Sequence, residues 1–278
     1  MFDMKLFRIQ KIVKDAGFGA SAPIIIQADN KEYVLKTQED GGMQPKSVSI
    51  FNELLAYQLI DYLDYNISPQ EVVFLVIDEN FVEMAKIAYD EGIIKEDSYE
   101  NISSSLGINL GIEYLHHAME ALDDIENDTF VKDLVHIDNY IMNCDRTKDN
   151  PNILQDKNNL RRYYAIDFGN ALSDGLLYDK IVEKSIDIFS ITSFYECNVT
   201  LSNRYILKDK SKNLIKKGRK NIDNVSKIRL ILSDIIDLFP PNWEAIKSKD
   251  DIIDVIAIRL KSRNIFNIEN SSKCECEY

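Results

Sequence analysis

The chain opens on short runs that suit extended strands. Residues 7–13 and 23–28 are rich in Ile, Val and Phe, and residues 32–37 alternate from one side of an extended backbone to the other. Gly17-Phe18-Gly19-Ala20-Ser21-Ala22-Pro23 joins the first two as a loop of small residues, and Asp29-Asn30-Lys31 supplies turn residues for the next hairpin. After Gly41-Gly42 and Pro45 the period changes. From Ser47, the positions Ile50, Leu54, Leu55, Tyr57, Leu59 and Leu63 form the apolar stripe of a helix, which residues 66–69 break. Residues 71–77 predict another apolar strand, Asp78-Glu79-Asn80 a turn, and residues 81–85 a further short strand.

Beyond residue 85 the pattern is mainly helical. Helices are expected over residues 110–122, 130–142, 180–195, 225–238 and 250–262. One hairpin interrupts them: residues 152–154 and 163–166 flank the polar turn Gln155-Asp156-Lys157-Asn158-Asn159. The expected architecture is α+β and bilobal, with residues 1–85 as a β-rich N-lobe and residues 86–278 as a helical C-lobe of one domain.

Composition narrows the function classes. A net charge of −13 argues against a nucleic-acid partner, whose binding depends on Lys and Arg neutralising phosphates. No apolar run reaches the ~18 residues of a membrane span. The first residues carry no secretory signal, so the expectation is a cytoplasmic protein without a membrane partner. Four cysteines in 278 residues make no disulfide framework, and Cys274 with Cys276 reads as a frayed terminus. The basic run of residues 208–220 reads as a solvated segment.

The chemistry concentrates in Asn143-Cys144-Asp145-Arg146-Thr147-Lys148-Asp149-Asn150 and, one hairpin later, Ile166-Asp167-Phe168-Gly169. Phosphoryl transfer asks for a carboxylate to orient the attacking hydroxyl and oxygen ligands to hold Mg²⁺ on the phosphates. Asp145 suits the first task, and Asn150 with Asp167 suits the second. Asn152 competes with Asn150 as metal ligand. An overlapping register, Asp138 with Asn143 after His136, has the same spacing. It is disfavoured because residues 131–143 read as a packed helix, which leaves His136 structural and Asn143 a brace for the loop. Arg146 reads as a brace too. Upstream, Gly17 and Gly19 would let backbone N–H groups approach phosphate, with Ser21 in the same loop. Lys36 would pair phosphate oxygens, and Glu53, on the following helix, would orient that lysine.

On these residues the chain resembles short HipA-like kinases, and more distantly type II phosphatidylinositol 4-kinases, which share an N-x-D-R-x-x-x-N arrangement. The resemblance takes in Gly17 to Pro23, Tyr33-Val34-Leu35-Lys36, Asn52-Glu53-Leu54-x-Ala56-Tyr57, Asn143-x-Asp145-Arg146-Thr147, Asn150-Pro151-Asn152, Ile166-Asp167-Phe168-Gly169 and Pro240-Pro241-Asn242-Trp243. It implies a protein-kinase-like fold that binds ATP and Mg²⁺. Asp145 would then be the catalytic aspartate, Asn150 and Asp167 the metal ligands, Lys36 a phosphate ligand, and the backbone near Glu83 to Ala85 the seat of adenine. Full-length HipA toxins carry an extra N-terminal subdomain that is not expected here, so the resemblance implies kinase chemistry and the sequence does not support an antitoxin-like partner. The acceptor expected is a serine or threonine hydroxyl on a protein or on the chain itself, with Ser21 as one such position. The alternatives are a nucleotide-binding pseudokinase, a small-molecule or lipid kinase, and a nucleotidyl transferase.

Overall fold

A computed structural model describes residues 4–17, 22–39, 47–69, 71–121, 125, 127–143, 146, 150–172, 225–245 and 248–261. Strands β1 (Leu6–Arg8), β2 (Lys11–Asp15), β3 (Ile24–Ala28) and β4 (Lys31–Lys36) are followed by helix α1 (Val48–Tyr62), strand β5 (Val72–Ile77), helices α2 (Glu79–Asp90) and α3 (Glu96–Ser103), and strand β6 (Gly107–Glu113). The six strands form one sheet in the order β1-β5-β6-β4-β3-β2. All pairings are antiparallel except β1 with β5. Beyond it lie β7 (Ala118–Glu120), α4 (Asp128–Tyr140), β8 (Ile153–Asp156), β9 (Tyr163–Ala165), α5 (Val225–Ile236) and α6 (Lys249–Lys261), with β7-β8-β9 as a second, small sheet.

The first sheet is covered on both faces, which explains why β5 reads as an unbroken apolar run. Val72 and Phe74 point into the core shared with α1, whereas Val73, Leu75 and Ile77 point into a second core beneath α2 and α3. That alternation is the two-residue strand period with apolar side chains on each side. Helix α1 lies between the sheet and the C-terminal helices. Every residue of it but Ser49, Asp61 and Tyr62 is buried, the signature of a helix packed all round.

Two predicted elements are corrected. Residues 81–85 are not a strand but the middle of α2. Asp78 caps that helix, its Oδ1 accepting from the Phe81 N–H at 3.0 Å, and Phe81, Ala85 and Ala88 fall on one buried face. A five-residue apolar window is too short to separate the two periods. The helix expected over residues 110–122 is not seen in its described part either: residues 110–121 carry most of β6, a connector and β7. Leu110 and Ile112 alternate around Gly111, where a Cβ would stand 2.6 Å from Leu75 Cδ1. The first sheet therefore draws a central strand from beyond residue 85.

The helices expected at 130–142, 225–238 and 250–262 are present as α4, α5 and α6. The expected helix at 180–195, the basic run at 208–220 and the Cys274/Cys276 pair lie outside the described residues. No described helix is long and apolar enough to cross a membrane. The architecture is α+β: a six-stranded sheet with α1 across one face, set on a mainly helical part that carries a second, small sheet.

Two tethers fix α1 and the connector. Ser47 precedes α1 at φ 64°, and its Oγ does not cap the helix but accepts from the Glu244 N–H at 2.7 Å. Beside it, Trp243 donates its Nε1–H to the Ile108 carbonyl at 2.9 Å and packs edge-on to Phe74. Trp243 is thus a core anchor, ahead of α6 rather than at its start. At the far end of the sheet, Glu71 accepts from Lys5, Lys31 and Tyr33 at 3.1, 2.6 and 2.9 Å. Its carbonyl also takes the Glu113 N–H, where β6 gives way to the connector of residues 114–117.

Candidate active site

Lys36 ends β4, and its exit is fixed by two side chains: the Gln38 N–H donates to Asn109 Oδ1 at 2.8 Å and the Glu39 N–H to Ser105 Oγ at 2.9 Å. So held, Lys36 Nζ donates to Asp167 Oδ1 at 2.8 Å, joining residues far apart in the chain. The lysine side chain is 16% exposed and the aspartate 39%, so the pair is partly open to solvent. Lys36, and behind it Arg146, hold the Asp167 carboxyl below its ordinary range; it remains ionised. Asp167 sits at φ 61°, in the left-handed region that a non-glycine residue occupies only when its surroundings over-determine it.

Those surroundings come from α1. Glu53 Oε2 accepts from the Phe168 N–H at 2.6 Å. Asn52 Nδ2 donates to the carbonyls of Gly169 and Ala171 at 3.0 and 2.5 Å. Phe168 is buried, edge-on to Tyr57 at 5.5 Å with the Arg146 guanidinium 5.0 Å from its ring centre. Gly169 lies so close to the helix that an added Cβ would stand 2.4 Å from Ser49 Oγ. Sequence reasoning expected Glu53 to orient Lys36. The structure puts Glu53 on the turn after Asp167 instead, with Oε1 buried and without a hydrogen-bond partner. Burial pushes its carboxyl up, and Lys36 opposes that by attraction without bonding it.

The floor of the site is a buried ion pair. Arg146 Nε donates to Asp138 Oδ2 at 3.0 Å, and both side chains are fully buried. Arg146 Nη1 reaches the carbonyls of Pro151, Asn152 and Ile166 at 2.9, 2.6 and 3.3 Å. One guanidinium therefore ties α4 to the loop beside Asn150 and to the residue before Asp167. Asn143 donates Nδ2 to Asp138 Oδ1 at 2.9 Å, the brace expected of it. With both oxygens engaged in the interior, Asp138 has no access to a substrate. His136 is fully buried with Nδ1 3.1 Å from Tyr65 Oη, a structural placement.

Of the remaining candidates, Gly17 is at φ 79°, its N–H on Asp15 Oδ1 at 2.6 Å, in a turn that demands the left-handed region. Asn150 is exposed beside the loop that Arg146 ties down. Asn152, at φ 48°, gives its carbonyl to Arg146 and to the Ile166 N–H. Gly19, Ser21 and Asp145 lie outside the described residues. Glu83 and Ala85 belong to α2, which covers the other face of the sheet from α1, with Glu83 on its solvent side and Ala85 in the second core. The segment that leaves the sheet towards the second one is the connector of residues 114–117, whose His117 carbonyl meets the Lys157 N–H at 2.7 Å. Sequence reasoning missed Asn52 and this connector. Asn52 stood within a quoted motif but on no apolar stripe, and the connector was hidden by the mistaken helix.

Neither a protein-family model nor a curated protein sequence matches the chain. Among solved structures it is similar to the Helicobacter pylori proinflammatory kinase CtkA, with 14% identity and a TM-score of 0.48 over 99% of each chain. At 14% identity that likeness assigns no substrate or activity to this chain.

Proposed function

We propose that the chain is an ATP- and Mg²⁺-dependent kinase of the HipA-like kind, moving the γ-phosphoryl group to a serine or threonine hydroxyl of a protein or of the chain itself. The observation that carries this reading is the Lys36–Asp167 pair at 2.8 Å. A strand lysine and a turn carboxylate, distant in sequence, meet where both are partly open to solvent, and phosphoryl transfer uses such a lysine on the phosphates and such a carboxylate on Mg²⁺.

Each residue then has a task. Lys36 neutralises phosphate oxygens, and backbone N–H groups of the Gly17, Gly19 and Ser21 segment would serve the same oxygens. Asp145 orients the acceptor hydroxyl and takes its proton. Adenine lies against the backbone of residues 114–117, not of Glu83 to Ala85. Asp167 and Asn150 offer one carboxylate and one amide oxygen, a donor set that fits Mg²⁺, which takes one or two carboxylates and completes its shell with phosphate and water. Asp167, kept ionised and partly open to solvent, and the Asn150 amide would hold it, and it supplies charge neutralisation on the phosphates when bound.

The test is incubation with ATP and Mg²⁺ followed by intact mass, with wild type beside Asp145→Asn and Asp167→Asn. A phosphate added to wild type and to neither variant supports the reading. An added AMP means nucleotidyl transfer. Tight nucleotide binding with no transfer to itself or to protein and small-molecule hydroxyls means a pseudokinase, and no nucleotide binding overturns the reading altogether.

A further inference from the structure

We propose that Asn52 is a positioning residue for Asp167, acting on the metal through the backbone of residues 169–171 and not through Lys36 or Glu53. This inference rests on the phosphotransferase reading. Asn52 is completely buried on α1, a helix whose neighbours are otherwise largely apolar. Its Nδ2 donates to two carbonyls of the turn, Gly169 and Ala171, while its Oδ1 is buried without a hydrogen-bond partner. A buried amide satisfied on one side only is kept in an apolar surrounding for the bonds it does make, since without it the Gly169 and Ala171 carbonyls would each lose a buried donor. Those bonds, and the turn they hold, explain its position.

Asp167 is held left-handed, and the turn after it is gripped at three successive points along one face of α1. Phe168 N–H is on Glu53, the Gly169 and Ala171 carbonyls are on Asn52, and the Gly169 Cα is against Ser49. Glu53 holds a donor of the turn, and Asn52 holds the acceptors that come after it. Together they prevent the peptide planes flanking Gly169 from rotating, and that rotation is what would swing the Asp167 carboxylate away from Lys36. The grip is set against a fixed frame, because α1 is pinned at its start by the Glu244 N–H on Ser47 and its sheet by Trp243 on Ile108. Residues that orient a metal ligand in this way change metal affinity although they never touch the ion.

The readout is the affinity for ATP by calorimetric titration, with Mg²⁺ and in its absence with chelator, for wild type, Asn52→Ala, Asn52→Ser and Leu59→Ala. Leu59 is equally buried on α1 but has no bond to the turn, so Leu59→Ala reports destabilisation of the helix alone. Asn52→Ala is expected to lose about 10–100-fold of the Mg²⁺-dependent tightening while its Mg²⁺-free affinity stays that of wild type. Asn52→Ser, whose hydroxyl can serve one carbonyl, falls between, and it carries the test alone if the alanine variant does not fold. Leu59→Ala keeps the wild-type ratio. An Asn52 variant that keeps that ratio, or loses affinity equally in both conditions, overturns the positioning role and leaves the kinase reading standing. Wild type that binds ATP in neither condition overturns both.

Discussion

Replacing Gly169 by alanine tests whether the Asp167 turn is docked on α1 as tightly as the contacts indicate. The added Cβ would stand 2.4 Å from Ser49 Oγ, 3.5 Å from Ser49 Cβ and 3.7 Å from the Ser49 carbonyl. Only the first is a clash; the others are ordinary contacts. The backbone at Gly169 is outside the left-handed region, so alanine is not strained for its own sake. Relief requires the turn or the serine side chain to move, and overpacking of this kind costs about 1–3 kcal/mol. Removing the hydroxyl with Ser49→Ala removes the clash, and Gly→Ala in a compatible conformation then gains about 0.4–1 kcal/mol through the unfolded chain. Urea denaturation of wild type, both single variants and the double variant gives the coupling directly. It should exceed about 1 kcal/mol, with the double variant close to Ser49→Ala. Phosphate incorporation should fall in Gly169→Ala and recover in the double variant. A coupling below about 0.5 kcal/mol would refute the close approach of the turn to the helix and, with it, the grip on Asp167.

Two further outcomes follow from buried charge. Asp138→Ala leaves the buried Arg146 guanidinium without its ion-pair partner, and should cost about 3–5 kcal/mol of unfolding free energy in urea. A loss under about 1 kcal/mol would mean that the pair is open to water, as surface pairs are. Glu71 lies in a partly buried site that pushes its carboxyl up, but Lys31, Lys5 and Tyr33 outweigh that and bring it down to about 2. A carboxyl lowered on folding contributes stability above its unfolded value of about 4.3 and loses it as pH falls through the folded one. The stability difference between wild type and Glu71→Gln should therefore be level from neutral pH to about 5 and vanish between about 4 and 2. A difference independent of pH would exclude the charge as its source.

The chain's own order of residues determined the strands at the start, the helix from Ser47, the three later helices at α4, α5 and α6, and the candidate site residues. These are local facts. Turn residues, apolar period and spacing act over a few positions, and Lys36, Glu53 and Asp167 were visible because their chemical types recur at expected offsets. It also favoured Asp145 over Asp138, because a packed helix over residues 131–143 leaves no room for a catalytic loop at Asp138.

What the tertiary structure decided was pairing. Whether residues 81–85 extend or coil was settled by which face of the sheet needed covering, since Phe81, Ala85 and Ala88 seal the core that Val73 and Leu75 open. Leu110 and Ile112 became a central strand because β4 and β5 each offered an edge to pair, a demand no local window contains. The partner of Glu53 was decided the same way. A helix carboxylate near a strand lysine has several donors within reach, and the buried Phe168 N–H, with no water to serve it, was the one that had to be satisfied. Arg146 shows the limit most plainly: its sequence neighbours name a loop, but its guanidinium is matched by Asp138 and three carbonyls that only the folded chain brings around it.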